Sequence, residues 1–406
     1  MNQGSFFTGQ PVMSQLLQLV PRWLVEQLAK AHKADRYCKK FFAYDHVVTM
    51  LSACFLGCTS LQELISGMQA SEHRLVHLGL KNTPRKSTLA DANARRPEAF
   101  FGALFHAVQR LHQRVSPDSP RGMKGLLDKL RILDATTISL FSDVMHGTGS
   151  YGTNGRKKGG AKAHVLMSAR DEGPCFIDLT EGKRHDQHIL PMITLPRGSV
   201  IVFDMGYTNY AQWRTWQEQG VNWVTRMKSG TLVTVLEDLF VPHAHGVAGV
   251  LSDQRVRLGS PSKGVLARLV RYKDPKTERE FAFITNNTPW AATTVAHIYK
   301  RRWDIELLFR RVKQNFPLRC FLGDSPNAIK VQIWCAFMAD LLLNIVRRNV
   351  QRSGGRTWAF SNLAGLVRIH LGTYIDLIAF LRDPLRALLS YRPPPRAHPQ
   401  QLCLFT

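Results

Sequence analysis

Three acidic residues stand in separate settings that could bring their carboxylates together. Asp134 lies within Arg131–Phe141, a run rich in β-branched residues that predicts a strand, and Asp204 directly follows the apolar run Ser199–Phe203. Glu306 lies in a strongly basic segment with helical spacing. Because strand ends meet at one edge of a sheet, where a packed helix can add a third carboxylate, the three acids are expected to converge.

Such a convergence has a chemical consequence. Carboxylates held close together repel one another unless cations are bound, and ligation by oxygen alone suits Mg²⁺ or Mn²⁺. Two such ions can activate a water or a 3′-hydroxyl group and stabilise the leaving oxygen of an in-line attack on a phosphodiester. Taken singly, each acid is more simply a cap or turn residue, so the prediction of a two-metal site rests on their joint setting.

The segment Tyr299–Lys313, which reads YKRRWDIELLFRRVK, is the most specific feature of the chain. If this segment is helical, four polar residues fall near one face: Tyr299, Arg302, Glu306 and Lys313. A tyrosine and two cations would then flank one carboxylate and could hold DNA phosphates. Trp303 could stack on a displaced base, or it could pack against its own helix. The alternative explanation is a solvated helix with ion pairs four residues apart.

The spacing Tyr-x2-Arg-x3-Glu-x6-Lys resembles the signature of a large group of DDE transposases from bacterial insertion sequences. The stretch Ile132–Leu140 is similar to the first acidic motif of that group, and Phe203–Tyr207 is similar to its second, commonly Asp-x-Gly-Tyr. Met205 departs from the pattern, since a polar or small residue is more usual there. The resemblance covers about residues 131–316.

This resemblance implies an α/β fold with a ribonuclease H-like catalytic core. It implies an enzyme that binds inverted-repeat transposon ends, cleaves double-stranded DNA and transfers the cut strand to a target, with Mg²⁺ (or Mn²⁺) as cofactor. Asp134, Asp204 and Glu306 would be both catalytic and metal-binding, and the protein would act as a homodimer on DNA. The residues expected to contact DNA here are Tyr299, Arg302, Trp303 and Lys313.

Apolar spacing and turn residues divide the chain into regions. Three- and four-residue spacing predicts an all-α N-terminal domain at 1–120, and strand-like runs predict an α/β core at 121–316. The resemblance implies that the first binds DNA and that the second is the catalytic core. Within the core, 230–286 reads as a β-rich insertion, and one long helix is expected from about Ala291 to Asn315. C-terminal helices (317–390) and a disordered tail (391–406) complete the expected division.

The charge balance agrees with a nucleic-acid partner. Lysine and arginine number 54 against 30 acids, which gives a formal net charge of +24. Such an excess predicts a polyanionic partner, and the alternative is a basic protein that has none. Seven cysteines without framework spacing, and an N-terminus unlike a signal peptide, favour a cytoplasmic protein. The apolar run Val331–Val346 contains polar residues, so we expect a buried helix and no membrane partner.

Two glycine-rich patterns do not predict nucleotide sites. The pattern at 147–152 is not followed by a helix, and the loop at 155–160 lacks the required lysine at Ala161. Three lysines of this basic loop could instead grip the DNA backbone, with a solvated loop as the alternative: Lys157, Lys158 and Lys162. His164 or His185 could approach the active site, although placement in the core or on the surface is the simpler explanation.

The C-terminal residues resemble a short peptide by which many bacterial proteins dock on the replicative sliding clamp. They follow a proline-rich tether that would hold them extended. Four residues match and are the expected clamp-binding residues: Gln401, Leu402, Leu404 and Phe405. The alternative is that the apolar residues of this tail fold back onto the last helices.

Three hypotheses for the function remain at the level of sequence. The first is a DNA transposase, the second is a structure-specific nuclease of the same fold, and the third is a DNA-binding regulator without catalysis. The signature around Glu306 argues against the nuclease, and intact acids at all three positions argue against the regulator.

Overall fold

The computed structural model describes residues 10–113, 123–140, 146–151 and 157–390. They form two compact units, which are considered separately. The first unit contains the residues up to Phe100, residues 315–317 and the residues from Cys335 onwards. The second unit contains Phe101–Gln314 and Leu318–Trp334. All three candidate acids therefore belong to the second unit.

The described helices are α1 (Val12–Leu17), α2 (Arg22–Ala31), α3 (Ala43–Leu56), α4 (Leu61–Ala70), α5 (Lys86–Arg95), α6 (Glu98–Leu111), α7 (Met123–Lys129), α8 (Tyr210–Glu218), α9 (His243–Val247), α10 (Ala292–Lys300), α11 (Trp303–Asn315), α12 (Pro326–Arg352), α13 (Phe360–His370), α14 (Leu377–Arg382) and α15 (Pro384–Ser390). Short 3-10 helices lie at Glu72–Leu78, Asp186–Met192 and Met205–Tyr207. The helical character expected for the N-terminal and C-terminal regions is confirmed.

The described strands are β1 (Leu130–Ser139), β2 (His146–Tyr151), β3 (Lys157–Ser168), β4 (Gly173–Glu181), β5 (Val200–Phe203), β6 (Asn222–Arg226), β7 (Val233–Asp238), β8 (Val250–Leu258), β9 (Val265–Lys273) and β10 (Glu280–Thr285). They form one sheet in the order β2-β3-β1-β5-β6-β10-β9-β8-β7, with β4 also paired to β3.

The order β4-β3-β1-β5-β6 forms the half of the sheet that contains Asp134 and leads to Asp204. Strand β3 is antiparallel to both β1 and β4, whereas β1, β5 and β6 are parallel. Three antiparallel neighbours followed by two parallel strands are the arrangement of a ribonuclease H-like core, so the expected fold class is confirmed. The parallel pair β1 and β5 has Leu133 opposite Phe203, which sets the carboxyl end of β5 beside the middle of β1.

The segment from β7 to β10 extends the same sheet, because β10 pairs with β6 in antiparallel fashion. A buried ion pair joins two of its strands: Arg268 on β9 donates to Asp253 on β8 at 2.7 Å. The same guanidinium donates to the carbonyl of Thr288 at 2.9 Å, just before α10 begins. Arg268 therefore ties the β-rich segment to the chain that leads into the candidate site.

A cluster of buried aromatic rings supports the carboxyl end of β5. Phe203, the last residue of β5, lies 5.7 Å from the rings of both Trp213 and Trp216 on α8. Trp213 in turn lies 4.7 Å from Trp223 on β6. Because such rings bury large apolar areas in fixed orientations, they hold the residues that follow Phe203 in place.

One long apolar helix is a core element. Among the described residues, α12 is long and apolar enough to cross a membrane, and 94% of its most apolar stretch is buried inside the protein. Helices α3 and α4 are long and apolar enough only when taken together, and the chain bends by 99° between them. The polar residues Gln332, Asp340 and Asn344 are themselves buried in α12. The expectation of a buried helix at Val331–Val346 is confirmed.

The buried His46 of α3 should make stability depend on pH. Burial, with the charge of Arg96 nearby, lowers the pKa of His46 to about 3 from its ordinary value of 6.5. The unfolded chain therefore takes up a proton below pH 6.5 that the folded chain refuses, so stability is lost as the pH falls. We expect the free energy of unfolding to drop by up to about 1.4 kcal/mol per pH unit from this residue.

Denaturant unfolding of the wild type and of His46→Gln between pH 7.5 and 5 measures this contribution. The difference in stability between the two proteins should shrink as the pH falls. A difference that stays constant over this range would contradict the expectation.

Candidate active site

Two of the acids lie beside each other where β1 pairs with the carboxyl end of β5. Asp134 follows Leu133 within β1, and Asp204 is the first residue after β5. The backbone N–H of Ala135 donates to Asp134 Oδ1 at 2.8 Å, which fixes one oxygen of this carboxylate. Strands β1 and β5 lie where the sequence analysis expected strands, with Asp134 within the first and Asp204 directly after the second.

The third acid lies on a helix that is shorter than expected. The single helix expected from Ala291 to Asn315 is wrong: α10 ends at Lys300, and α11 begins at Trp303. At the break, the N–H of Arg302 donates to the carbonyl of Tyr299 at 2.9 Å. The Arg301 side chain donates to Asp304 at 2.7 Å, in the first turn of α11. Glu306 therefore lies in the first turn of a new helix.

Arg302 joins two of the three carboxylates. Its guanidinium donates to Asp134 Oδ2 at 2.9 Å and to Glu306 Oε1 at 2.6 Å. The third acid, Asp204, accepts from the hydroxyl of Tyr299 at 3.5 Å. The side chains of Arg302 and Asp134 are 18% and 19% exposed, so this ion pair is largely shielded from solvent screening.

The Tyr299 ring packs against another aromatic ring. It lies 4.8 Å from the ring of Phe283 on β10. Burial raises the pKa of the Tyr299 hydroxyl, and the charge of Asp204 adds to this shift. The hydroxyl therefore stays protonated at neutral pH and can act as a hydrogen-bond donor.

The surroundings of Asp134 change its affinity for a proton. Burial raises the pKa of Asp134 to about 6, and the charges of Asp204 and Glu306 raise it further, although the Ala135 N–H and Arg302 oppose the shift. Within the described ranges, no three His, Cys, Asp or Glu side chains stand close enough to hold a metal ion as placed. The Arg302 guanidinium contacts two of the three candidate acids, Asp134 and Glu306. The donor set itself, three carboxylates with raised mutual repulsion, fits a divalent cation.

The remaining polar residues of the predicted signature have different surroundings. The Lys313 ammonium donates to the carbonyl of Thr137 on β1 at 2.8 Å, and burial lowers its pKa. Trp303 is 50% exposed. Because α10 ends at Lys300 and α11 begins at Trp303, the four residues expected on one helix lie on two helices and the break between them.

Comparison with known proteins decides the family. The family described as transposase DDE domain matches residues 125–342. The chain belongs to the DDE transposases. A second family, described as a domain of unknown function, matches residues 8–81 of this transposase. DNA transposition, with DNA cleavage and transfer, is therefore its function, and the family generally uses divalent metal ions.

Three known proteins illustrate the relationship. A protein of Sinorhizobium fredii named as a transposase is 34% identical over 269 residues, which is 66% of this chain and 72% of that protein. A protein of Geobacillus stearothermophilus named as a transposase for an insertion sequence element is 28% identical, over 53% of this chain and 55% of that protein. The piggyBac transposase, solved as a synaptic complex with hairpin DNA, covers 97% of this chain and 84% of its own at a TM-score of 0.44 and 11% identity.

A polar cluster that sequence reasoning did not assemble lies behind the second acidic motif of the transposase. Lys162 pairs with Asp186 at 2.6 Å, and His164 is buried beside them with its Nε2 3.0 Å from Thr180 Oγ1. A side chain at Gly206 would meet Asp186 Oδ2 at 3.8 Å, so this carboxylate packs against the second motif. Asp186 is 18 residues before Asp204, and no motif spacing marks it.

One lysine of the predicted basic loop belongs to this cluster. Lys162 lies within strand β3, its side chain is only 15% exposed, and its charge is matched by Asp186. The backbones of Lys157 and Lys158 belong to the same strand, but their side chains lie outside the described part of the structure. The loop residues 152–156 and the tail with Gln401, Leu402, Leu404 and Phe405 also lie outside it. His185 is exposed, whereas His164 is in the core.

Proposed function

We propose that Asp134, Asp204 and Glu306 are the catalytic acids of this transposase and that they hold two Mg²⁺ or Mn²⁺ ions. The observation that carries the proposal is that one guanidinium, that of Arg302, contacts both Asp134 and Glu306. A buried carboxylate group costs free energy unless its charge is compensated. Divalent ions bound there would act as Lewis acids and activate the attacking hydroxyl, as in other two-metal sites.

The chain's own residues prepare the reaction. The N–H of Ala135 and the hydroxyl of Tyr299 fix one oxygen each of Asp134 and Asp204, so these carboxylates keep their orientation. Arg302 is the residue that can move, because its two partners are the ligands that the ions require. Once it is displaced, its planar guanidinium can bind a DNA phosphate in bidentate fashion.

Three further contacts to the transposon end complete the proposal. Lys313 would leave the Thr137 carbonyl and pair with a phosphate, and the half-exposed Trp303 would stack on an unpaired base. When DNA binds, the Tyr299 hydroxyl would release Asp204 and donate its single hydrogen to a phosphate oxygen next to the acids. These contacts would hold the end of the duplex, and the enzyme would work as a homodimer with one inverted repeat in each active site.

Different regions of the chain would bind DNA and carry out catalysis. We propose a helical DNA-binding domain at 1–120, the catalytic core at 121–316, the C-terminal helices at 317–390 and the tail at 391–406. The strongly basic composition, +24 overall, suits contact with two DNA duplexes, the transposon ends and the target.

Purified protein and DNA from the flanks of the gene test the function. Short inverted repeats should bracket the reading frame, and duplexes that carry them should be cut at their ends and joined to a plasmid target when Mg²⁺ is added. Cutting without joining would instead indicate a nuclease, and binding without cutting would indicate a regulator.

The tail yields a separate prediction about a partner. We propose that Gln401, Leu402, Leu404 and Phe405 bind the replicative sliding clamp, with the apolar side chains in a preformed pocket. A labelled peptide of residues 391–406 should bind purified clamp in a fluorescence titration, and Leu404→Ala with Phe405→Ala should weaken binding by about a hundredfold. A peptide with Gln400→Ala is the matched control, and equal binding by all three peptides would refute the assignment.

A further inference from the structure

The loop between α2 and α3 presents a dense set of cations on the first unit. Four of its residues carry exposed positive side chains: Lys33, Arg36, Lys39 and Lys40. Together with α5 this loop lines a groove of about 550 Å³. The ion pair of Arg95 with Asp91 lies on the α5 side of the groove. The family matched at residues 8–81 covers the loop without assigning it a role.

A buried arginine fixes the shape of this loop. Arg96 is only 3% exposed, and it donates to the carbonyls of Ala34 and Phe41 at 3.0 Å each. Its guanidinium also donates to Asp35 at 3.1 Å, while Asp35 accepts from the N–H of Ala43 at 2.6 Å. The two ends of the loop are therefore held by one side chain, so the cations in between are presented on a fixed frame.

The backbone of the loop is in an uncommon conformation. Lys33 and Tyr37 have φ angles of 51° and 62°, in the left-handed region that residues other than glycine rarely adopt. Such a conformation costs free energy and persists where the surrounding structure enforces it, often at binding sites. It turns the Tyr37 ring outward to 80% exposure, with the Arg36 guanidinium stacked 4.8 Å above it.

Helix α5 buries few of its residues. Leu89 and Asn93 are its buried residues, so most of its circumference faces solvent. The exposed side chains are short or cationic and carry donors and acceptors: Lys86, Ser87, Thr88, Asp91 and Arg95. A helix with a small polar face of this kind fits the major groove of a DNA duplex, where base edges present distinct donors and acceptors.

We propose that this surface binds duplex DNA at the transposon end: the loop from Lys33 to Lys40 holds backbone phosphates, and α5 contacts base edges in the adjacent major groove. The inference rests on the proposed function, end recognition by this transposase, and it assigns that recognition to particular residues. The phosphates supply affinity that does not depend on sequence, and Thr88 and Arg95 supply the discrimination.

The loop is tested with the full-length protein in EDTA, on an end duplex and on a scrambled duplex, at several salt concentrations. Arg36→Ala, Lys39→Ala and Lys40→Ala combined should weaken binding of both duplexes by about a hundredfold or more and lower the slope of log affinity against log salt by about 2 to 3. The charge-retaining triple Arg36→Lys, Lys39→Arg and Lys40→Arg should keep most of the affinity and the slope.

A matched control removes the same charge outside the groove. Arg352→Ala, Arg382→Ala and Arg386→Ala combined change three exposed arginines of the same unit and should leave the slope nearly unchanged. If the loop triple and this control behave alike, or if the loop triple binds as the wild type does, the inference is overturned. Equal thermal midpoints of the two triples exclude unfolding as the cause of a loss.

Base reading by α5 has its own measurement. Thr88→Ala with Arg95→Ala should lower the preference for the end duplex over the scrambled duplex by about tenfold, with a smaller change in binding to scrambled DNA. An unchanged preference would remove α5 from the proposal. A wild-type protein that binds neither duplex, or does not distinguish them, would contradict the proposed function itself, so the two failures are separable.

Discussion

Asp134→Ala, Asp204→Ala and Glu306→Ala are each expected to reduce cleavage of the transposon end by about a thousandfold or more. The physical reason is that each carboxylate would supply oxygen ligands that no neighbouring side chain can replace. Binding of the uncut end in EDTA should change little, because it depends on lysine and arginine side chains that contact phosphates and not on these acids. Cleavage is measured with end-labelled duplex under single-turnover conditions in Mg²⁺ and in Mn²⁺.

A nearby acid offers a matched control for this experiment. Asp304 also lies in the first turn of α11, but its partner is Arg301 at 2.7 Å and it does not contact the other acids. Asp304→Asn should retain cleavage within about threefold of the wild type, since it removes a partly exposed ion pair of small value. Full cleavage by any of the three alanine variants would remove that residue from the site.

The strand-borne half of the site could be predicted from the sequence because its signals are local. A short apolar run such as Ser199–Phe203, rich in β-branched residues, predicts a strand with a clear end, so the position of Asp204 followed directly. Asp134 followed in the same way from its β-branched surroundings. The ribonuclease H-like order of strands could be predicted only from the resemblance to the transposase family. The spacing of residues within a strand does not indicate which distant strand pairs with it.

The helix-borne half was predicted less well, for a physical reason. Residues 291–315 have an unbroken helical pattern, yet the chain bends at Arg301 and Arg302. The ion pair of Arg301 with Asp304 and the contact of Arg302 with Asp134 stabilise the bend. The second contact joins residues 168 apart in sequence, so no local rule could anticipate it. The pairing of Lys162 with Asp186 escaped prediction for the same reason.

The second large effect concerns Arg302, whose guanidinium compensates the negative charges of Asp134 and Glu306 when no DNA or metal ion is bound. Arg302→Ala should bind Mn²⁺ more tightly than the wild type in the absence of DNA, by about tenfold, because the ions no longer compete with a tethered cation. The same variant should cleave the transposon end about a hundredfold more slowly, because the displaced guanidinium would otherwise hold a phosphate. Metal binding is measured by calorimetry, and cleavage by single turnover.

Two further variants separate the roles of charge and position. Lys313→Ala removes an equal charge from α11, but its ammonium contacts the Thr137 carbonyl and none of the acids. Its affinity for Mn²⁺ should therefore match the wild type, while the salt slope of end binding falls by about 1. Arg302→Lys should recover the weak metal binding of the wild type without recovering cleavage, since an ammonium cannot make the bidentate contact. Equal metal affinities in Arg302→Ala and the wild type would show that the guanidinium does not compete with the ions.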